Sequence, residues 1–345
     1  MCFQVRGREK NPSNRTWYKK SRELPVETWV NLFEQVSSFR PWIYLTGGEP
    51  LLYPQFMEFV REARERKLNL QVQTNGTFLA EMADFLVQAG VVEVIISLDG
   101  PPEVHDAIRG VPGTFRKLKE GVEALLTARA RRRSPTPVIA INCTVSRANL
   151  KTLPQMVPLA VKLGAETMQI QHTMFNSPEM VTWHNKILSP EMIRKLGLDL
   201  AFPSLGEREY YQSEITSGDI PILQASITQA RRMAKDKVNL TFLPMLPAEF
   251  LSAYYLDLDY PFNQNCDFFW KTLRIFPDGT HSPCLNLRAG NIAQDSLADI
   301  WNGPRMQTLR LLVNQRLLPG CVRCCRRYYT PGHRPALQAA SRLLQ

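Results

Sequence analysis

The stretch NLQVQTN, residues 69–75, decides the predicted fold because apolar and polar side chains alternate along it. Leu70 and Val72 lie on one phase of the alternation, and Gln71 and Gln73 lie on the other. Successive side chains of a β-strand point to opposite faces of the sheet. The sequence therefore predicts a strand with one apolar face and one polar face.

Other segments show the same alternation, and helical patterns lie between them. Repeated units of a strand followed by a helix predict a parallel sheet of the α/β class. The predicted strands cover residues 42–46, 69–75, 91–99, 137–145 and 167–175. The polar positions near their carboxyl ends are Tyr44, Thr46, Gln71, Gln73, Asn75, Ser97, Asp99, Asn142, Thr144, Gln169 and Gln171.

A polar stripe along a parallel sheet favours a barrel over a flat, doubly wound sheet. In a doubly wound sheet both faces pack against helices, so both are apolar. In a barrel the inner face can open to a ligand at the carboxyl ends of the strands. We therefore predict a TIM-like barrel with its ligand site at that end.

Length and composition predict a soluble globular protein. The chain has 345 residues, of which 44% are hydrophobic and 21% charged, so it can bury a large core without disulfides. No apolar run is long enough for a transmembrane helix, and the amino terminus lacks a secretory signal pattern. We therefore expect a cytoplasmic protein with no transmembrane segment.

The net charge of +10 comes from 42 lysines and arginines against 32 aspartates and glutamates. The densest cluster, RARRR at residues 129–133, ends a predicted helix, where cations interact favourably with the helix dipole. Aromatic residues do not interleave with this cluster. We therefore expect a solvated helix end and no nucleic-acid partner.

The run LTGGEPLL, residues 45–52, stands where a predicted strand ends and the next helix is about to begin. Gly47 and Gly48 allow the backbone to approach a ligand closely, and the carboxylate of Glu49 can hold an amino group there. A tight turn with a solvated glutamate would also explain these residues. The run by itself leaves both interpretations open.

Taken in order, the runs LTGGEPLL, QTNGTFL and ISLDGPPEVHDAIRG resemble those of the radical S-adenosylmethionine (SAM) enzymes. The similarity is to the branch that carries a C-terminal SPASM or twitch domain. It implies a partial (β/α)6 TIM-like barrel followed by a small α+β domain with a β-hairpin. The cofactor-binding residues that it implies are Gly47, Gly48, Glu49, Asn75, Ser97 and Arg109.

The resemblance also implies a role for each of these residues. The GGEP motif would bind the amino group of the methionine part of SAM. Ser97 and Arg109, twelve positions apart, would contact the methionine carboxylate and the ribose. Asn75, in the turn after a strand, would lie near the cofactor.

Five of the seven cysteines are concentrated near the carboxyl terminus, on both sides of a predicted hairpin: Cys266, Cys284, Cys321, Cys324 and Cys325. The hairpin is TLRIFPDGTHSPC, residues 272–284, which has an Asp-Gly turn signal. From spacing alone, thiolates in this pattern could hold zinc or an iron-sulfur cluster. The resemblance implies one auxiliary 4Fe-4S cluster on Cys266, Cys284, Cys321 and Cys324, with Cys325 as the alternative to Cys324.

Radical SAM enzymes hold their core 4Fe-4S cluster with a CxxxCxxC motif after the first barrel strand. Here Cys2 matches the third cysteine, and the other two cysteines and the first strand have no counterpart in the sequence. We expect that the natural protein extends upstream of Met1 through these elements. The alternative is a degenerate family member that has lost the radical chemistry.

The expected domains are a barrel core over residues 1–218, a connecting helix and strand over 219–261, the auxiliary-cluster domain over 262–330 and a tail over 331–345. Within the core, Cys143 and His172 share the phase of apolar neighbours, so we predict that both are buried and bind no metal.

The resemblance implies an enzyme that generates a 5'-deoxyadenosyl radical from SAM to take a hydrogen atom from its substrate. The substrate class is open. A peptide or protein is the first choice, and a carbohydrate or lipid precursor is the alternative. An electron donor such as flavodoxin or ferredoxin is implied as a partner. A competing hypothesis is a non-catalytic iron-sulfur or zinc-binding module on a degenerate barrel.

Overall fold

The structure is a computed structural model that describes most of the chain. The described residues are 23–175, 178, 182, 185–186, 189–195, 213–258, 260, 262–284, 289–314, 323–324 and 328–331. Within them the chain forms two compact units. The first unit contains residues 25–172 and 218–243, and the second contains residues 23–24 and the described residues of 173–217 and from 244 onward.

The first unit is built on six parallel strands that pair in the order in which they occur along the chain. The strands are β1 (Trp42–Leu45), β2 (Asn69–Thr74), β3 (Glu93–Ser97), β4 (Val138–Thr144), β5 (Thr167–Gln171) and β6 (Asn239–Leu243). All of the first five lie within predicted strands, which confirms the α/β class. β6 comes from the stretch that we expected to connect two domains, and it extends the sheet beside β5. The expected domain boundaries themselves stay a prediction.

Helices follow the strands of this unit as the repeated pattern predicts. They are α1 (Val26–Val36), α2 (Phe56–Glu65), α3 (Leu79–Gln88), α4 (Pro102–Arg109), α5 (Thr114–Arg132) and α6 (Leu153–Lys162). Further along the chain, α7 (Pro190–Lys195) belongs to the second unit, and α8 (Ile220–Ala234) precedes β6. Short 3-10 helices cover Pro50–Leu52, Leu150–Thr152 and Ser217–Asp219.

The amino end of helix α5 is capped by an aspartate side chain from α4. The carboxylate of Asp106 accepts hydrogen bonds from the N–H groups of Gly113 (2.5 Å) and Phe115 (2.8 Å) and from the Thr114 hydroxyl (2.6 Å). The two N–H groups would otherwise lack partners, because the first turn of a helix has none within the helix. α5 ends inside the arginine cluster, as expected for a helix end, and the guanidinium of Arg132 pairs with Asp84.

The two faces of the sheet differ as the alternation predicts. One face consists of fully buried apolar side chains, among them Leu70, Val72, Val94, Ile96, Ile170 and Met168. The other face is half-buried or exposed and polar, with Tyr44, Gln71, Gln73, Ser97, Asn142, Thr144, Gln169 and Gln171. Ser97, Asn142 and Gln169 are direct partners in the strand register, so they form one row. The burial of the apolar face supplies the core of this unit.

The second unit contains the predicted hairpin and a separate pair of strands. Ile275 and His281 form an antiparallel bridge, and the Phe276 N–H donates to the Thr280 carbonyl oxygen at 2.9 Å. Gly279 has φ of +83°, which the Asp-Gly turn requires. Strands β7 (Phe262–Asn265) and β8 (Tyr328–Pro331) pair in antiparallel fashion. The helices are α9 (Leu251–Leu256), α10 (Phe268–Lys271), α11 (Leu297–Asn302) and α12 (Pro304–Asn314), with a 3-10 helix at Ala248–Phe250.

Among the helices in the described part of the chain, none has the length and apolar character needed to cross a membrane.

Close packing of α3 against α5 depends on Gly121, and this gives a first prediction. A Cβ atom at position 121 would lie 2.7 Å from the Leu79 Cβ and 3.2 Å from the Ala80 nitrogen. Alanine gains about 1 kcal/mol over glycine in helix propensity, but overpacking costs about 1–3 kcal/mol. We expect Gly121→Ala to lower the free energy of unfolding by about 1 kcal/mol, measured by urea denaturation.

Lys117→Ala provides the matched control, because Lys117 is an exposed residue of the same helix. Its free energy of unfolding should change by less than about 0.5 kcal/mol. A Gly121→Ala protein that is more stable than the wild type would show that α3 and α5 can move apart without lowering the free energy of unfolding.

Candidate cofactor site

Glu49 joins the loop after β1 to the end of β2. Its Oε1 accepts hydrogen bonds from the Thr74 hydroxyl at 2.8 Å and the Leu51 N–H at 3.3 Å, and its Oε2 accepts from the Asn75 N–H at 2.8 Å. Both carboxylate oxygens therefore have partners within the protein. Glu49 fixes the shape of the loop whether or not it also contacts a ligand.

The pKa of Glu49 is raised from its ordinary value. Burial is the largest cause, because it disfavours the charged form. Hydrogen bonds from Asn75, Thr74 and Leu51 act in the opposite direction, and so does the positive charge of Arg109.

The glycines of the same loop leave room beside it. Gly47 and Gly48 are exposed, and Gly47 has φ of +154°, a conformation that side chains disfavour. No described atom lies within 4 Å of the point where a Cβ of Gly47 would stand. The described residues therefore leave the space next to Gly47 open to a ligand.

Asn75 shapes the turn after β2. Its side-chain Oδ1 accepts a hydrogen bond from the Thr77 N–H at 2.8 Å, which forms an Asx-turn. Its own N–H is bound to Glu49. The structure thus brings Asn75 to the GGEP loop, and the two predicted site residues meet through a backbone hydrogen bond.

Ser97 and Arg109 also meet, at the end of β3. The Arg109 guanidinium donates to the Ser97 carbonyl oxygen at 2.9 Å, and the Ser97 hydroxyl accepts from the Gln73 side chain at 3.1 Å. Gln73 in turn hydrogen-bonds to the Tyr44 hydroxyl. This row of polar groups crosses the first three strands on the polar face of the sheet.

Asp99 lies beside this pair, although from the sequence it was expected only among the polar strand positions and not among the site residues. Asp99 Oδ2 is 2.8 Å from the Arg109 guanidinium, and the residue is 2% exposed. A signal was present in the sequence, because an acidic residue directly follows the strand and an arginine ends the next helix. The pattern did not show that the two would pair.

Several buried polar atoms at this edge have no hydrogen-bond partner among the described residues, and they include Arg109 Nε and Asn142 Oδ1. Asp99 Oδ2 also accepts no hydrogen bond there, although it forms an ion pair with the Arg109 guanidinium at 2.8 Å. Buried polar groups normally have partners, so Arg109 Nε and Asn142 Oδ1 can each serve a ligand. SAM carries a carboxylate, ribose hydroxyls and an ammonium group. The donor on Arg109, the acceptor on Asn142 and the open space at Gly47 fit these groups. The residues present are therefore chemically suited to SAM.

The predicted cluster ligands are only partly within the described residues. Cys2, Cys321 and the alternative Cys325 lie outside them. Cys266, Cys284 and Cys324 are half-buried. Among the described residues, no three cysteine, histidine or acidic side chains come together as a metal site. The ligand set for the auxiliary cluster therefore stays a prediction.

The two residues predicted to be buried in the core are confirmed. Cys143 and His172 are each 0% exposed. Burial raises the pKa of the Cys143 thiol well above its ordinary value, which opposes the thiolate form that metals bind. Burial lowers the pKa of His172 to about 4, and its ring stacks against Phe242.

Glu49 and Asp106 each accept three hydrogen bonds, but their pKa values shift in opposite directions. The pKa of Asp106 is lowered, chiefly by the hydrogen bond from Thr114. A raised pKa in the folded state means that stability falls as the pH rises above the unfolded value, which is 4.5 for Glu49. A lowered pKa means that stability is lost as the pH falls below the unfolded value, which is 3.8 for Asp106.

We therefore expect opposite pH trends for Glu49→Gln and Asp106→Asn between about pH 3 and pH 7. The free energy of unfolding of Glu49→Gln, minus that of the wild type, should rise with pH because the variant lacks the buried charge. The same difference for Asp106→Asn should fall with pH. Urea denaturation at each pH measures both, and trends of the same sign would contradict the two assignments.

Two family models match the sequence. The model of the Radical SAM superfamily matches residues 2–139, and that of the SPASM iron-sulfur cluster-binding domain matches residues 266–325. The first range contains Cys2 and the predicted cofactor-binding residues Gly47, Gly48, Glu49, Asn75, Ser97 and Arg109. The second range contains all five C-terminal cysteines.

The sequence is also similar to proteins whose names refer to AdoMet-dependent or peptide-modifying reactions. Over 146 residues the chain is 36% identical to the AdoMet-dependent heme synthase of Methanosarcina barkeri, covering 41% of this chain and 40% of the relative. It is 31% identical to the PqqA peptide cyclase of Ruegeria pomeroyi over 46% of this chain and 41% of the relative. These matches span less than half the length of either relative.

A longer match joins the chain to a third relative. The tungsten-containing aldehyde ferredoxin oxidoreductase cofactor-modifying protein of Pyrococcus furiosus is 23% identical over 312 residues, covering 89% of this chain and 81% of that protein.

The solved structure of Streptococcus suis SuiB bound to S-adenosylmethionine has the same fold. It aligns with a TM-score of 0.56 at 14% identity and covers 84% of this chain and 61% of SuiB. The six-stranded sheet is thus the partial TIM-like barrel of this group, as predicted. The sequence therefore contains a match to a radical SAM domain over residues 2–139 and to a SPASM domain over residues 266–325, which confirms the resemblance to radical SAM enzymes that carry a SPASM domain.

Proposed function

We propose that the chain is the catalytic part of a radical SAM enzyme that modifies a peptide. The observation that carries the proposal is the arrangement of Arg109, Ser97 and the open Gly47 loop at the carboxyl ends of β1 to β3. When bound beside a reduced 4Fe-4S cluster, SAM would accept one electron and supply a 5'-deoxyadenosyl radical for hydrogen abstraction, with methionine as the other product. The protein residues bind and orient the cofactor.

Each site residue has a part in this proposal. Arg109 binds the methionine carboxylate through its guanidinium, and the Ser97 hydroxyl hydrogen-bonds beside it. The backbone of Gly47 and Gly48 receives the methionine amino group, and Glu49 holds that loop in place through its contacts with β2.

Two clusters are part of the proposal. Cys2 is one ligand of the core cluster. The auxiliary 4Fe-4S cluster takes Cys266, Cys284, Cys321 and either Cys324 or Cys325 as its ligands, since such clusters are held by four thiolates. Reduction by a small electron-transfer protein such as flavodoxin or ferredoxin belongs to the same proposal.

A peptide is favoured as substrate by the chemistry of the strands. Side chains on the polar face present amides and hydroxyls, and none of the six strands contains a lysine or arginine. Amide side chains can both donate to and accept from peptide groups. Heme, named for one relative, carries carboxylates that cations bind best. A peptide, named for another relative, suits these strands better.

Cofactor binding is tested by a pair of glycine variants. Gly47→Ala adds a methyl group that meets no described protein atom, whereas a bound cofactor would be crowded by it. We expect its affinity for SAM to fall about tenfold, as an unfavourable contact of about 1.4 kcal/mol would produce. Equilibrium dialysis of anaerobically reconstituted protein measures the affinity.

Gly164→Ala is the control, because Gly164 also has a positive φ, of +68°, but precedes β5 at the opposite end of the strands. It should bind SAM like the wild type. Equal affinity in the wild type and Gly47→Ala would remove the GGEP loop from the proposed site. A form of the protein that carries the complete CxxxCxxC motif, with Cys2 as its third cysteine, should also release 5'-deoxyadenosine when it is reduced with dithionite. SAM binding without that product would favour the non-catalytic module.

The auxiliary cluster is tested by iron and sulfide analysis of cysteine variants. Cys266→Ala should lose the iron of the auxiliary cluster, about four atoms per chain, because it removes one of the four thiolates that are proposed to hold that cluster. Cys143→Ala should keep the wild-type content, because Cys143 is buried in the core of the other unit.

Comparison of Cys324→Ala with Cys325→Ala identifies the remaining ligand, since only one of the two should lose iron. Stoichiometric zinc in place of iron in the wild type would contradict the auxiliary cluster.

A further inference from the structure

The carboxylate of Asp99 lies at the centre of a buried group of contacts after β3. Its Oδ1 accepts a hydrogen bond from the Thr144 N–H at 3.1 Å, and its Oδ2 lies 2.8 Å from the Arg109 guanidinium. Thr144 ends β4, so the carboxylate bridges two neighbouring strand ends and the last residue of α4. The Asp99 side chain is 3% exposed, which leaves it little contact with solvent.

The backbone of Asp99 is fixed from two further directions. Its N–H donates to His105 Nδ1 at 3.2 Å, and its carbonyl oxygen accepts from the Asn149 side chain at 2.8 Å. The same Asn149 amide also donates to the Thr144 carbonyl oxygen at 2.8 Å. His105 and Asn149 are 1% and 0% exposed. Buried side chains thus hold both the backbone and the carboxylate of Asp99.

His105 can act only as an acceptor toward Asp99. Burial is the main cause that lowers its pKa to about 4, so the ring is neutral at physiological pH. A neutral ring that accepts at Nδ1 carries its proton on Nε2. The contact therefore adds no charge beside the pair of Asp99 and Arg109.

Arg109 needs such a partner to remain where it is. Arginine has a long side chain with many rotamers, and its charge favours water over a buried position. The guanidinium has two contacts at its outer end, to the Ser97 carbonyl oxygen and to Asp99, while its Nε is buried without a described partner. Without the Asp99 carboxylate, the Ser97 carbonyl oxygen, a weaker acceptor, would have to hold the Arg109 guanidinium by itself. The Arg109 side chain is only 23% exposed.

We propose that Asp99 is a positioning residue that holds the Arg109 guanidinium in the orientation that binds the SAM carboxylate. Asp99 contacts Arg109 and need not contact SAM itself. The proposal rests on the proposed function of Arg109, and it adds Asp99, His105 and Asn149 as the residues that place it.

A double-mutant cycle on SAM affinity tests this proposal. The proteins are the wild type, Asp99→Asn, Arg109→Gln and the double variant, with affinities measured by equilibrium dialysis after anaerobic reconstitution. Asp99→Asn keeps the shape of the side chain but removes its charge, and we expect SAM affinity to fall about tenfold. In the Arg109→Gln background the same substitution should have no further effect, because the residue that it positions is gone.

Asp84→Asn is the matched control. Asp84 pairs with Arg132 at 2.7 Å on the surface, so the substitution is chemically the same and breaks an ion pair of similar length. It should bind SAM like the wild type. Asp99→Glu keeps a carboxylate beside Arg109 and should recover part of the affinity that Asp99→Asn loses. Thermal unfolding of every variant shows which are folded, and Asp99→Glu replaces Asp99→Asn in the cycle if the latter does not fold.

The outcomes separate the two proposals. Multiplicative losses in the double variant would show that Asp99 acts on the fold in general and would overturn the positioning role, as would wild-type affinity in Asp99→Asn. Absence of SAM binding in both the wild type and Asp84→Asn would overturn the proposed function, and the role of Asp99 with it.

Discussion

Parallel pairing of the six strands is the constraint on which the site depends. Because neighbouring strands run in the same direction, all six carboxyl ends lie at one edge of the sheet. The GGEP loop follows β1, the Asn75 turn follows β2, and Ser97 ends β3. Residues that are far apart in the sequence therefore meet there, and a cofactor bound at this edge can contact several loops at once.

The degree of burial determines how each carboxylate at this edge behaves. Asp106 and Glu49 accept the same number of hydrogen bonds, yet the pKa of Glu49 is raised because burial outweighs them. Asp99 is more deeply buried than either and has a charged partner instead. Hydrogen bonds are enough to stabilise a charged carboxylate near water, whereas a buried carboxylate is stabilised best by a nearby cation.

Much of the barrel could be predicted because successive residues of a strand alternate between its two faces, so the local sequence shows which face is apolar. The alternation through Gln71 and Gln73 identified the polar face, and the apolar phase identified Cys143 and His172 as core residues. The strand β6 was recognisable as a strand but was assigned to a connecting segment. Nothing in its local pattern states that it pairs with β5, because pairing depends on the path of the whole chain.

By itself the sequence determined the strand faces, the motifs that bear the family resemblance and the group of C-terminal cysteines, because each is a property of short spacing. Only the tertiary structure decided that Glu49 is held by Thr74 and Asn75 and that Asp99 is the partner of Arg109. Asp99 reaches Thr144 and Asn149 across 45 and 50 residues of sequence. Contacts at such separation arise from strand order and burial, which no local pattern of residues contains.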